Sequence, residues 1–120
     1  MSRLRWMVLA MAGACVAPSW AQEFEIGNFA AVGAGTVTIK KIRTGWDAEQ
    51  FAIETKEPIV NPAGCSAPDA YVAHATRAGY KEHYAIALSA MYAGRPIHVV
   101  VSDNDCISSR PRIMGIHAAP

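Results

Sequence analysis

A chain of 120 residues, 52% hydrophobic and 18% charged with a formal net charge of +1, has room for one small domain. That balance excludes a collagen, a disordered tail and a multidomain enzyme. With charge so near zero and no basic run there is no electrostatic footprint for nucleic acid, which is not expected as a partner.

Arg3 and Arg5 precede an apolar run from Trp6 to Ala17, and Pro18, Ser19, Trp20 and Ala21 close it. This charged, greasy, small-residue order is that of a secretory signal peptide, expected over residues 1–21 with cleavage after Ala21. The run is about 12 residues, short of the roughly 20 needed to cross a bilayer, so no membrane span is expected after cleavage. A rival maturation would lipidate Cys15, since Ala12, Gly13 and Ala14 loosely match a lipoprotein cleavage box with Ala where Leu is usual. Residues 22–120 are then the expected single domain, periplasmic or secreted, with a net charge of about −1 once Arg3 and Arg5 are gone. A domain of that size has a modest core. In an oxidising compartment the two remaining cysteines, Cys65 and Cys106, read as a disulfide. Closing a loop of about 40 residues stabilises by roughly 4 kcal/mol in the chain-entropy model.

Residues 22–35 mix Phe24, Ile26 and Phe29 with Gly and Ala, and are compatible with a lead-in strand or a loose arm. From Thr36 to Ile42 β-branched residues alternate with polar ones, which predicts a strand. Arg43 to Asp47 turn the chain, and Gln50–Thr55 resumes the alternation, so the two segments read as a hairpin. Pro58, Asn61, Pro62, Gly64 and Pro68 punctuate a loop that carries Cys65. A short strand is expected at Tyr71–Ala75.

The period then changes. Tyr80, Tyr84, Ala87, Leu88 and Met91 form one stripe of a helix over about 78–93, ended by Gly94 and Pro96. Ile97–Ser102 reads as a strand with Ile97, Val99 and Val101 inward, Asp103–Cys106 as a turn-rich loop, and Ile113–His117 as the last strand. Three strands, a helix and two strands is the chain order of an OB-fold-like five-stranded barrel, mainly β with one helix; a small α+β sandwich is the alternative.

Arg43-Thr44-Gly45 between two strands, Phe51-Ala52-Ile53-Glu54, a Cys before the third strand, the amphipathic helix, and Gly94-Arg95-Pro96-Ile97-His98-Val99 together resemble the B subunit of subtilase cytotoxin and its exported relatives. The likeness spans roughly residues 36–102. It extends to a broader set of uncharacterised exported bacterial proteins that share Asn61-Pro62 followed by Cys65, Tyr80-Lys81, Ala87-Leu88-Ser89-Ala90, and Arg110-Pro111 with Ile113. The resemblance implies an OB-fold. For the toxin branch it also implies a ring of five subunits that binds host glycans and carries a catalytic partner. This chain departs from that branch in its short Ala-rich ending and its Asn61-Pro62 loop, and no sugar-contacting residue carries over position by position.

Candidate chemistry is sparse. His74, His83, His98 and His117 lack the close ligand pairs of structural zinc sites, so no metal is expected. Asp103, Asn104 and Asp105 offer oxygens, but Ser108 and Met114 stand where an EF-hand loop needs Gly and Glu. There is no Gly-x-Ser-x-Gly elbow, a bridged cysteine supplies no thiolate, and no acidic pair is singled out by its pattern. The expectation is a non-enzymatic binding module without a cofactor, its partner a glycan or another exported protein, with homo-oligomers compatible. The alternative is a monomeric periplasmic protein acting on protein or envelope partners. Trp46 and Asp47 are the candidate ligand-binding residues, because an aromatic face beside a carboxylate suits a sugar ring and its hydroxyls. Lidding one end of the barrel is the simpler role for Trp46. Tyr71 and Tyr92 carry the same ambiguity, Tyr92 being expected to pack under the helix end.

Overall fold

A computed structural model describes residues 31–45 and 47–119. The expected leader, Cys15 and Trp46 lie outside the described residues. Six strands and one helix follow in order: β1 (Ala31–Val37), β2 (Ile39–Thr44), β3 (Gln50–Thr55), β4 (Tyr71–His74), α1 (Tyr80–Ala93), β5 (Ile97–Ile107) and β6 (Arg110–His117). The described residues are thus mainly β with one helix. Its strands form one mixed sheet in the order β1-β5-β6-β4-β3-β2, in which only β4 and β6 run parallel.

The strand expected at Thr36–Ile42 is interrupted at Thr38, so six strands replace five. On one side of that residue β1 pairs with β5, and on the other β2 pairs with β3. The Thr38 N–H, between the two strands, donates to the Glu57 carboxylate at 2.7 Å. That bond holds the Glu57 carboxyl below its ordinary range. Residues 31–35 are strand, not a loose arm, although Gly33 and Gly35 weaken local propensity, because β5 supplies the hydrogen bonds.

Strand β5 also runs further than expected. Asp103–Cys106 belong to it, with an irregularity between Val101 and Cys106 that absorbs the turn-forming residues. The turn comes instead at Ser108 and Ser109, whose φ values of 50° and 65° are those of a two-residue type I′ hairpin. Serine does not favour that conformation by itself. Three bonds from outside hold it: Ala67 N–H to the Ser109 carbonyl (2.9 Å), Arg110 Nη1 to the Ser108 carbonyl (2.8 Å), and Ser108 Oγ to Gln50 Oε1 (3.1 Å). Cys65 and Cys106 are bridged, with Cα atoms 5.9 Å apart, and the bridge joins the loop before β4 to a strand rather than to a second loop. Asn61 fixes the loop side of it: its amide accepts from Cys65 N–H at 2.8 Å and donates to the Cys65 carbonyl at 2.9 Å.

The main core lies on one face of the sheet, where Phe51, Ile53, Tyr71, Ile97, Val99 and Val101 are buried and α1 packs through Ala87 and Ala90. Tyr80 and Tyr84 set their rings 5.5 and 5.3 Å from that of Phe51. The helix ends as expected on Gly94 (φ 65°), whose N–H bonds back to the Ala90 and Met91 carbonyls. Two expectations about its faces are corrected. Leu88 is half-buried and outside the core cluster, because the stripe that keeps Tyr80, Tyr84, Ala87 and Met91 widens towards Ile86 and Ala90, on the flank away from Leu88. Tyr92 is 82% exposed and does not pack under the helix end.

Candidate functional site

The second face of β2, β3, β4 and β6 carries the polar chemistry. Cross-strand partners place Arg43 opposite Ala52, Ala52 opposite Val72, and Val72 opposite Arg112, so two arginines flank a floor of two small apolar residues. Ala52, Ala70 and Val72 are fully buried and form a second cluster with Ile107. Around this floor each of two aspartates sits between two arginines. Asp69 takes a two-pronged contact from Arg110, with Nη2 to Oδ2 at 3.1 Å, and lies 3.9 Å from Arg43, which also meets Glu54 at 3.3 Å. Asp105 meets Arg77 at 3.0 Å and Arg112 at 3.2 Å. The Arg110 guanidinium holds the Asp69 carboxyl below its ordinary range, and Asp69 in turn raises Arg110.

Residues 47–49 lead into β3 at one end of this sheet. Asp47 is exposed there in a left-handed backbone conformation, φ 56°, which an aspartate tolerates better than most residues. The base of the loop is fastened: Ala75 N–H donates to the Glu49 carbonyl at 2.8 Å and Gln50 N–H to that of Ala48 at 2.9 Å. Gln50, whose side chain is buried, receives the Ser108 hydroxyl, so the loop after β2 and the turn after β5 are tied side by side. Of the two candidate ligand residues, Asp47 is therefore displayed on a braced loop, and Trp46 lies outside the described residues. Tyr71 is not available to a ligand. It is fully buried, its hydroxyl accepts from Val60 N–H at 2.9 Å, and burial raises its pKa.

The histidines fall elsewhere. His98 and His117 are cross-strand partners with rings stacked 5.8 Å apart, and His117 is lowered by burial and then by His98. His83 Nε2 is buried with no hydrogen-bond partner among the described residues, and burial lowers its pKa. His74 Nδ1 is taken by Thr76, through its hydroxyl at 2.8 Å and its N–H at 3.1 Å. Among the described residues no three His, Cys, Asp or Glu converge as a ligand set, and no helix is long and apolar enough to cross a membrane.

Sequence reading missed the arginine–aspartate network because its partners are far apart in the chain; Asp69 and Arg110 are separated by 41 positions. The Arg110-Pro111 pair was its only local sign. No family model, curated protein or solved structure matches the chain.

Proposed function

We propose that this chain is an exported, disulfide-clipped, non-enzymatic binding module whose ligand, a carbohydrate, rests on the rim formed by the 45–49 loop and the 108–109 turn. The Ser108–Gln50 hydrogen bond carries the reading: it ties the turn after β5 to the first residue of β3, at the foot of the segment that displays Asp47. Binding residues gather on loops held by a rigid scaffold.

The scaffold we propose is a closed OB-like barrel. Its support is that β1 and β2, the two edges of the sheet, are separated by Thr38 alone. Counted as one strand, they join the edges, and the five strands then follow one another around the barrel as first, β3, β4, β6, β5 and first again. In an OB-fold the loops after the first and fourth strands flank the face that takes oligosaccharides, and these are the two loops joined here. The resemblance to toxin B subunits points the same way. The disulfide and the leader-like first 21 residues support a periplasmic or secreted location.

A glycan array probed with the wild type, Trp46→Ala and Asp47→Ala tests the site. Binding by the wild type and its loss in Trp46→Ala, with unchanged thermal melting, is the expected result. An array on which the wild type binds nothing, or on which Trp46→Ala binds normally, sinks the assignment.

A further inference from the structure

An open apolar groove of about 540 Å³ runs along the outer flank of α1, far in character from the polar rim. Ala85, Ile86, Ser89 and Ala93 form one wall, and Ala118 and Ala119, just beyond β6, form the other. Ile86 is anchored in the core, so this wall is rigid. The helical stripe that forms this wall is flanked by opposite charges. Arg95 lines the groove just past the helix C-terminus. Glu82 stands near the helix start on the same stripe, since Glu82, Ile86, Ser89 and Ala93 are spaced i, i+4, i+7 and i+11. Glu82 and Arg95 are both exposed, and neither belongs to an ion pair among the described residues.

We propose that this groove is the interface of a homodimer, occupied by α1 of a second copy running antiparallel about a twofold axis at Ser89. Charge complementarity selects that occupant. Turning the helix end for end about Ser89 sets Ala85 of one copy against Ala93 of the other and brings Glu82 alongside Arg95, twice per dimer. A surface that carries opposite charges at its two ends is complementary to its own rotated image, which is the condition for an isologous contact. Ser89 meets itself on the axis and Ala85 meets Ala93, while the same register sets Ile86 of each copy against the exposed Tyr92 of the other and adds apolar contact beside those small residues. Antiparallel helix dipoles add to the pairing. The inference does not rest on the carbohydrate reading, which uses other elements and another readout.

Sedimentation of the full chain, recovered as its host processes it, tests the proposal over about 1 to 100 µM. The expected species is a dimer that dissociates reversibly within or below that range. Ser89→Arg places a long cation on the axis, and the protein should then be monomeric throughout with unchanged circular dichroism and melting temperature. Glu82→Arg and Arg95→Glu should each weaken the dimer at least about tenfold by setting like charges together, and the double variant should restore it to within about threefold. A wild type that stays monomeric, forms a pentamer, or dimerises equally well as Ser89→Arg overturns the proposal. So does a double variant no tighter than the single ones.

Discussion

Strands β3 and β4 are buried on both faces, and the two faces are closed by different physics. On one, Phe51, Ile53, Tyr71 and Ala73 meet the helix through Tyr80 and Tyr84. On the other, Ala52 and Val72 are as fully buried, yet their row ends in Arg43 and Arg112, and the Cys65–Cys106 bridge and two Arg–Asp–Arg groups surround them. The first face relies on apolar area, which salt and pH barely touch. The second relies on a covalent clip, on arginine stems that cover apolar surface, and on charges that solvent screens. Large side chains do most of the stabilising inside; outside, small ones leave room for a polar lattice that positions loops.

The largest effect should come from the aromatic face. Phe51→Ala removes a fully buried ring together with its contacts to two tyrosines, and chemical denaturation should show a loss of about 3–5 kcal/mol. Next comes the clip. The double variant Cys65→Ser, Cys106→Ser should lose about 2–4 kcal/mol in the same experiment, with the 61–70 loop gaining protease sensitivity first. A loss equal to that of Phe51→Ala would mean that the outer face is no mere supplement to the core.

The ion pairs come last. Arg110→Met keeps the stem and removes the charge, and because the Asp69 side chain is 54% exposed the cost should stay under about 1 kcal/mol and shrink further in high salt. The sign of its pH dependence is set by Asp69. A carboxyl whose folded pKa is depressed stabilises the fold above its unfolded value and loses that contribution as pH falls through the folded one. Thermal melts of wild type and Asp69→Asn should therefore differ at neutral pH and converge as the pH falls below the ordinary carboxylate range.

This contrast also explains what was legible beforehand. The aromatic face announces itself through period: Phe51 and Ile53 fall two apart between the polar Gln50 and Glu54, and Tyr80, Tyr84 and Met91 repeat at helical spacing. Gly94 and the lone cysteine pair carry similarly local or compositional signals. The outer face has no period to find. Asp103, Asn104 and Asp105 look like a turn by composition and become strand because β6 pairs beyond them at Cys106. Ser108 and Ser109 lack the Asn-Gly signature of their turn and are held in it by Ala67, Arg110 and Gln50. Residues 31–35 are too rich in Gly and Ala to declare themselves a strand, and their distant partner β5 makes them one. Leu88 differs for a finer reason: it lies at one edge of the helical stripe, and the core takes Ile86 and Ala90 at the other edge.

The interruption at Thr38 has a consequence in time. The β2–β3 hairpin spans neighbouring segments and can zip as soon as both have been synthesised. Strand β1 is made earlier still, but it pairs Val37 with Ile97 and Ala31 with Ser102, partners roughly 60 to 70 residues downstream. At a synthesis rate of about 5–20 residues per second, β1 waits several seconds for its partner to exist. The loop it then closes is among the longest in the domain, and long-range pairing of that kind is the slow step of β folding. The chain therefore cannot complete its sheet from the leading end. It stays unfinished, and threadable, until its last third has arrived.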